Sequence, residues 1–268
     1  MRKCTMSTHS RDFLKNLLAY WPHNTVATSA WLTEHGISRF LKQRYINSGW
    51  VKPLGYGAVV RAHEKVDWPG GLWALQTQTK LPVHVGGKNA IALQGRSHYL
   101  SFGQEELTLF TRREIRIPKW FLESPWSVSL KVVKTNFLDS TLALNDFKVS
   151  GINVKISSFE RAALELLYLA PQHTSYDEIN LIFENFNTLR SDIVQELLMN
   201  CKNSKVIRLF LYLAELHQHA WFLQLDLEKI SIGSGVLQLS KGGVFIKKYQ
   251  MTVPKELNDR REDEGSLF

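Results

Sequence analysis

Cysteine is scarce in this chain, and no apolar run is long enough to cross a membrane. Cys4 and Cys201 lie far apart and belong to no paired spacing, so we expect reduced thiols, with neither a disulfide nor a metal site. No segment approaches the roughly 20 uninterrupted apolar residues of a transmembrane helix, and the first ten residues contain no signal-peptide run. A cytoplasmic protein is therefore predicted.

The sequence motifs of common catalytic sites are also absent. There is no GxxxxGK[ST] phosphate loop, no HExxH zinc site and no GxSxG nucleophile elbow. Gly86-Gly87 resembles the start of a nucleotidyltransferase site, but no acidic pair follows closely enough to hold metal ions. Asp226 and Glu228 alternate as strand ligands do, although a solvated charged face explains them more simply. We predict no enzyme activity, no catalytic residues, no metal and no cofactor.

Acidic residues are rare in the first part of the chain. Residues 1–61 contain nine lysines and arginines but only two acids, whereas residues 62–268 contain 24 basic and 23 acidic residues. Almost all of the formal net charge of +8 therefore belongs to the first 61 residues. Such a concentrated positive charge attracts polyanions such as DNA. A small basic domain with a solvated surface is the alternative.

Apolar spacing and capping residues predict three short helices in this basic region. They cover residues 10–21, 29–35 and 39–47. Ser38 caps the third helix, and Gly36 ends the second. Two extended runs, 50–54 and 58–61, then flank a turn at Gly55-Tyr56-Gly57. This order of elements predicts an amino-terminal winged helix-turn-helix.

The third helix has a predicted buried stripe and a polar outer face. The buried stripe contains Ile37, Leu41, Tyr45 and Ser48. The outer face contains Arg39, Lys42 and Gln43, residue types that hydrogen-bond guanine, phosphate and adenine. We expect Arg44, at the edge of the stripe, to contact the phosphate backbone. In the hairpin, Lys52, Tyr56 and Arg61 are the predicted DNA contacts. One alternative is that Arg39, Lys42 and Gln43 solvate an ordinary helix. Another is that the whole module serves protein contacts without touching DNA.

Beyond residue 66 the charge is balanced, and the sequence predicts a second domain of the α+β class. The length of the whole chain and its 44% hydrophobic content allow two domains, which we place at residues 1–66 and 67–268. Residues 67–71 are expected to form a boundary loop before a helix at 72–78. Predicted strands cover residues 83–85, 99–102, 106–110, 128–134 and 154–156, with the last two expected to lie close together. Predicted helices cover residues 88–94, 157–170, 176–186, 190–201 and 205–219. Capping-box patterns at Ser157 and Ser175 begin two of these helices.

A second basic stretch precedes a group of aromatic residues. It contains Arg112, Arg113, Arg116 and Lys119. These side chains could bind operator phosphates or an acidic face of a partner, or they could belong to an ordinary charged strand edge. The nearby Trp120, Phe121 and Trp126 are either interface anchors or core residues, and core is the commoner role.

The layout resembles the AbiEi family. The resemblance covers almost the whole chain and rests on the predicted winged helix, Gly71 to Gln76, Val85 to Ala90, Leu93-Gln94-Gly95, and the late Gly-Ser-Gly and Lys-Gly-Gly segments. This sequence departs from the family after the Gly-Ser-Gly, where Val236-Leu237 stands in place of basic residues. We therefore expect no function that depends on basic side chains at that point.

The resemblance implies an antitoxin of a type IV toxin–antitoxin system, a class associated with abortive phage defence. Its winged helix would repress its own operon at inverted repeats, through Arg39, Lys42, Gln43 and Arg44. The residues after about Pro69 would counteract a nucleotidyltransferase-like AbiEii toxin, directly or indirectly. A repressor whose second domain senses a small molecule is the other hypothesis, and a deep apolar pocket in that domain would favour it.

Overall fold

The computed structural model describes residues 17–95 and 106–258, which form two compact units. The first unit contains residues 17–84, 106–134 and 146–155, and the second contains residues 85–95, 135–145 and 156–258. Helices and sheets occur in both, so the fold is of the mixed α+β class, as predicted. Across the described residues, no helix has the length and apolar character needed to span a membrane.

Short helices and strands alternate in the amino-terminal part of the first unit. Residues 17–20 end a helix just before Trp21, and the earlier part of that predicted helix lies outside the described residues. The elements that follow are β1 (Ala27–Thr28), α1 (Ser29–Glu34), α2 (Arg39–Asn47), β2 (Val51–Gly55) and β3 (Ala58–Arg61). The strands pair in the order β1-β3-β2. The predicted second and third helices and the hairpin are thereby confirmed, whereas β1 was not predicted.

Helix α3 (Trp68–Thr77) begins earlier than the sequence analysis predicted. The boundary loop predicted over residues 67–71 is wrong, because Asp67 caps a helix whose first turn contains Pro69 and Gly70. Proline fits the first turn of a helix, where its missing N–H has no intrahelical partner to lose. Gly70 permits a close approach, since a Cβ atom there would lie 2.0 Å from the Asn24 carbonyl oxygen.

The predicted division into residues 1–66 and 67–268 concerns function, whereas the compact units follow packing. Residues 67–84 belong to the same unit as the segment predicted to bind DNA. The functional division therefore stays a prediction.

A five-stranded sheet has the order β6-β5-β4-β8-β7. Its strands are β4 (Val83–Val85), β5 (Glu106–Thr111), β6 (Ser129–Lys134), β7 (Leu144–Val149) and β8 (Ile152–Ser157). Strand β5 pairs with β6, and β4 pairs with β8, both in parallel. The expected proximity of residues 128–134 and 154–156 is wrong as a pairing, because two strands separate β6 from β8. Strand β7 was not predicted, and the strand predicted at 99–102 lies outside the described residues.

The predicted helices of the carboxyl half are present in the second unit. Helix α4 (Gly87–Leu93) follows β4, and the short α5 (Lys119–Leu122) belongs to the first unit. The helices of the carboxyl half are α6 (Phe159–Leu169), α7 (Tyr176–Glu184), α8 (Ser191–Asn200) and α9 (Ser204–Leu216). Ser175 caps α7 as predicted. The predicted cap of α6 is wrong by one residue, because Ser158 accepts the hydrogen bond from the Arg161 N–H. The Ser157 hydroxyl instead donates to Glu165 at 2.7 Å.

Buried charged groups hold α6 in the second unit. The Arg161 Nε donates to Glu165 at 2.8 Å, and neither side chain is more than 4% exposed. Glu165 also accepts the Gly87 backbone N–H at 2.9 Å. The Glu165 carboxylate, which contacts the glycine pair that resembled a nucleotidyltransferase motif, is thus engaged in hydrogen bonds that join α4 to α6.

The turn-rich carboxyl end is organised around a buried arginine. Its strands are β9 (Leu237–Gln238), β10 (Val244–Ile246) and β11 (Met251–Val253). Arg208 of α9 is 1% exposed, and its guanidinium donates to backbone carbonyls at distances of 2.7 to 3.2 Å. The accepting carbonyls belong to Ile232, Ser234, Gly235 and Gln250. The Gly-Ser-Gly segment is therefore held from inside the unit, with φ of 75° at Gly233 and 78° at Gly235.

Candidate nucleic-acid interface

Side-chain caps begin both α1 and α2, and the cap of α2 is the predicted Ser38. The Thr28 hydroxyl accepts the Trp31 N–H at 3.3 Å, and the Ser38 hydroxyl accepts the Leu41 N–H at 3.2 Å. Between the helices, Gly36 adopts a φ of 79°, which a glycine tolerates without strain. The two helices are thus joined by a tight turn with locally satisfied ends.

The inner face of α2 packs on a small core of its own unit. Tyr45 is buried, as is Ile37 just before the helix, while Leu41 packs on the same core with part of its surface exposed. Ser48, predicted on the buried stripe, is exposed. That prediction is wrong because the helix ends at Asn47, and the Ser48 hydroxyl bonds back to the Tyr45 carbonyl at 3.2 Å.

The outer face of α2 exposes Arg39 and Gln43 as the sequence analysis expected. Arg44 is half-buried, in keeping with its predicted place at the edge of the buried stripe. Lys42 is also half-buried, and its Nζ donates to the Ser29 hydroxyl at 2.8 Å. The structure therefore gives Lys42 a role in joining α2 to α1, in addition to the DNA contact that was predicted for it.

Ser29 also connects these helices to the hairpin. Its backbone N–H donates to the Gly57 carbonyl at 2.8 Å, so α1, α2 and the β2–β3 turn meet at one serine. Tyr56 at the tip of the turn is 100% exposed, and Lys52 on β2 is exposed as well. The predicted hairpin residues Lys52 and Tyr56 are thus available to a ligand of the first unit.

Arg61, the third hairpin residue predicted to contact DNA, is engaged within the protein. Its side chain is 12% exposed, and the guanidinium lies 5.3 Å from the centre of the Trp21 ring. It donates to the backbone carbonyls of Leu18 and Trp21 and pairs with Glu64 at 3.3 Å. These contacts hold the end of the preceding helix against β3, so we leave Arg61 out of the candidate interface.

The charge around α2 and the hairpin is of one sign. No aspartate or glutamate occurs between Glu34 and Glu64, and this interval contains Arg39, Lys42, Arg44, Lys52 and Arg61. Arg61 is paired with Glu64, but the other four basic residues leave an excess of positive charge. Such an excess attracts phosphate groups and loses that attraction as salt is added.

Phe40 is the residue of this region that the sequence analysis missed. It lies on α2 between two arginines and is 75% exposed. Its position one residue after Arg39, away from the buried stripe, was the signal that could have revealed it. The interface is therefore not wholly polar.

The second basic stretch covers a turn and a loop after β5 and the first residue of α5, not a strand edge. Arg112, Arg113, Arg116 and Lys119 are exposed, and Arg112 pairs with Glu114. The aromatic residues behind them are core residues, because Trp120 and Phe121 are buried and the half-buried Trp126 donates to the Phe121 carbonyl at 2.7 Å. Gly55 packs on Trp120, where a Cβ atom on the glycine would lie 2.9 Å from the Trp120 Cβ.

Other groups considered for chemistry have ordinary partners. Among the described residues, no cluster of histidine, cysteine, aspartate or glutamate could hold a metal ion. Asp226 is paired with Lys229 at 2.7 Å on the surface. Cys201 is a free thiol whose pKa is raised by burial to about 11, and Cys4 lies outside the described residues.

Comparison with known proteins gives two family matches and a related fold. A family described as transcriptional regulator, AbiEi antitoxin, type IV TA system matches residues 104–254. A family described as the AbiEi antitoxin N-terminal domain of a transcriptional regulator matches residues 10–102. The crystal structure of the RV2827C protein from Mycobacterium tuberculosis is similar in fold, with 15% sequence identity and a TM-score of 0.59 over 98% of this chain and 96% of that chain. No curated protein sequence matches this chain.

Proposed function

This chain belongs to the AbiEi family of transcriptional regulators and type IV antitoxins, and from that premise we propose that it represses its own operon and counteracts the toxin encoded beside it. Repression would use α1, α2 and the β2–β3 hairpin as a winged helix-turn-helix on an operator with inverted repeats. The remaining part of the chain, from about residue 67, would counteract a nucleotidyltransferase-like toxin. Both actions would take place in the cytoplasm.

The observation that carries the DNA-binding proposal is the exposed outer side of α2. Arg39 and Gln43 present a forked cation and an amide, which are the groups that pair with guanine and adenine edges in the major groove. The helix has nine residues, each of which rises about 1.5 Å, and an α-helix fits a major groove about 12 Å wide. The absence of acids from Glu34 to Glu64 removes the repulsion that a phosphate backbone would meet.

The hairpin supports this proposal through its attachment to the helices. Ser29 joins the turn at Gly57 to α1 by a backbone hydrogen bond, and it joins α1 to α2 through Lys42. Lys52 and Tyr56 would then contact phosphates or the adjacent minor groove while α2 occupies the major groove. Arg44 would contact a phosphate and fix the orientation of α2 on the duplex.

The antitoxin part of the proposal rests on the family to which residues 104–254 belong. Type IV antitoxins can oppose a toxin without a stable complex, so the proposed partner relationship is functional and does not require a docking site. Repression of the promoter without any rescue of growth from the toxin would instead favour a repressor that senses a small molecule.

Promoter binding tests the interface. We expect Arg39→Ala to weaken binding to the upstream region of its own gene about tenfold, because one bidentate base contact is lost. Arg44→Ala should weaken binding to any sequence and reduce the slope of log affinity against log salt by about one. Fluorescence anisotropy over a range of salt concentrations measures both effects.

Lys148→Ala is the matched control. Lys148 is exposed on β7, and its substitution removes one positive charge, as the other two substitutions do. It should leave promoter affinity close to that of the unsubstituted protein. Equal losses for all three variants would show that the effect is one of net charge alone and would contradict the assignment of α2 as the reading helix.

A further inference from the structure

One exposed line of residues along α2 contains an aromatic side chain as well as polar ones. Three residues at the helical spacing i, i+3 and i+7 are exposed: Phe40, Gln43 and Asn47. Lys42 lies to one side of this line, where it bonds to Ser29. The centre of the outer face is therefore an aromatic ring next to two amides.

The amides on this line are already arranged relative to each other. The Gln43 Nε2 donates to the Asn47 Oδ1 at 3.0 Å, one helical turn apart. This hydrogen bond restricts the rotamers of two side chains whose amide groups match the N6 and N7 atoms of adenine. Phe40 lies one turn before Gln43 on the same line.

The exposure of Phe40 requires an occupant that is both anionic and able to cover an apolar ring. The ring is 75% exposed, it is flanked by Arg39 and by the half-buried Arg44, and α2 contains no acid. The major groove of DNA meets both requirements, because phosphates line its edges and thymine presents an apolar 5-methyl group on its floor.

We propose that Phe40 contacts the 5-methyl group of a thymine in the operator and that it determines part of the sequence specificity. This inference deepens the DNA-binding function proposed above and rests on it. Gln43 and Asn47 would read the bases next to that thymine, and adenine is the base that their amides fit best. The predicted half-site therefore contains an A·T step under the middle of α2.

Removal of thymine methyl groups tests the proposal without knowledge of the operator sequence. The upstream region of the gene is amplified by PCR with dTTP or with dUTP, so that the two fragments differ only in the 5-methyl groups. Full-length protein, Phe40→Ala and Phe245→Ala are then titrated into each fragment. Phe245 is a matched control, because it is 52% exposed on β10 and undergoes the same substitution.

For each protein, the measured quantity is the affinity for the thymine fragment divided by the affinity for the uracil fragment. We expect this ratio to differ between the variants. The unsubstituted protein and Phe245→Ala should bind the thymine fragment about fourfold more tightly for each methyl group covered by a Phe40 ring. Phe40→Ala should bind the two fragments equally, and its circular dichroism should match that of the unsubstituted protein because the residue is exposed.

Other results would overturn the proposal in distinguishable ways. If Phe40→Ala keeps the same ratio as the unsubstituted protein, or if that protein itself shows no ratio, Phe40 does not read thymine although DNA binding stands. If the unsubstituted protein does not bind the thymine fragment at all, the proposed repressor function fails as well. If Phe40→Ala changes the sedimentation coefficient while the ratio is unchanged, the ring belongs to a contact between copies of this chain.

Discussion

At the residue scale, the first unit separates basic side chains that face outward from those that hold the fold together. Arg39 is exposed, whereas Arg61 donates to the Leu18 and Trp21 carbonyls. Helical periodicity predicted the exposure of Arg39, because that exposure depends only on the position of the buried stripe. The role of Arg61 could not be predicted, because its partners lie about 40 residues earlier in the chain.

Lys42 illustrates the same limit over a shorter distance. Its angular position on α2 was predicted from the period of the helix, but its hydrogen bond to Ser29 depends on how α1 crosses α2. Phe40 was missed for a different reason. Its exposure followed from the pattern, but an apolar residue was not considered as a reader of DNA.

Glu160 gives a prediction about pH at the residue scale. Burial opposes the ionisation of this carboxyl, but hydrogen bonds from the Arg190 side chain and backbone outweigh it and hold the pKa below its ordinary value of 4.5. The folded protein therefore keeps the carboxylate charged at pH values where the unfolded chain binds a proton. The stabilisation should be complete well above pH 4.5, decrease as the pH falls through that value, and vanish below the pKa of the folded state.

The substitution Glu160→Gln tests this pH dependence. We expect it to lower the free energy of unfolding by about 1–2 kcal/mol at neutral pH, a modest loss because the Arg190 side chain is half open to solvent. The difference from the unsubstituted protein should shrink in urea titrations as the pH falls below about 4.5. Glu196→Gln on α8 is the control, since this glutamate is exposed. A difference that does not change with pH would contradict the assigned role of the carboxylate charge.

At the element scale, local signals account for most of the helices and for the hairpin. Thr28, Ser38 and Ser175 cap the helices that follow them, and Gly36 and Gly57 lie in turns with positive φ. These signals act within a few residues, so the sequence reveals them directly. The false cap at Ser157 shows their limit, because two adjacent serines offer the same local chemistry and the buried Glu165 captures one of them.

Helix α3 shows how an element can be misjudged when its glycines serve packing. Its amides also bind across the first unit: Gln78 accepts the Thr28 N–H at 2.8 Å, and Gln76 accepts the Lys155 N–H at 2.8 Å. A pair of adjacent glycines in a sequence usually indicates a loop, but glycines also occur in a helix where another part of the backbone packs closely against it. Gly70 is instead covered by the backbone of Asn24.

The substitution Gly70→Ala should therefore be more damaging than Gly71→Ala. A Cβ atom at Gly70 would meet a backbone carbonyl oxygen at 2.0 Å, whereas at Gly71 it would meet the Trp126 ring at 2.8 Å, and a side chain yields more easily than the main chain. We expect Gly70→Ala to lower the free energy of unfolding by about 3 kcal/mol and Gly71→Ala by about 1 kcal/mol. Urea denaturation monitored by tryptophan fluorescence measures both. Equal losses would mean that the start of α3 can move away from Asn24.

At the scale of the whole molecule, strand order was the least predictable feature. Strands β5 and β6 are neighbours in sequence and in the sheet, but β4 pairs with β8, about 70 residues later. The pairing of β4 and β8 is in parallel and leaves no local turn signal, which explains why β8 was placed close to β6. Strand β7 was missed because its residues are half-exposed and show no strong apolar alternation.

The packing of the first unit also determines how the two proposed functions of the protein, repression and antitoxin action, should be separated. A cut at residue 66 would remove Gly70, whose carbonyl accepts the Val26 N–H at 3.3 Å, and Gln78, which bonds to Thr28 and Val26. The fragment that contains α2 would keep the pairing of β1 with β3 but lose these hydrogen bonds at Val26 and Thr28. Single-residue changes in the full chain separate the functions without this damage.

The decisive experiment is rescue of growth by the full chain with Arg39→Ala and Arg44→Ala combined. Toxin and antitoxin are expressed from independent promoters, and a reporter under the native promoter measures repression in the same cells. If α2 acts only on DNA, the double variant should lose repression and still rescue growth as well as the unsubstituted protein. Lys148→Ala should retain both activities, because it removes a charge from β7 and leaves α2 unchanged.

The two readouts distinguish the remaining hypotheses because they depend on different parts of the chain. Loss of rescue together with repression, at equal protein levels, would mean that antitoxin action requires the α2 surface and that the division near residue 66 is wrong. Repression by the unsubstituted protein without any rescue would instead favour a ligand-responsive repressor. Retained rescue without repression would show that antitoxin action does not require the Arg39 and Arg44 side chains on which repression depends.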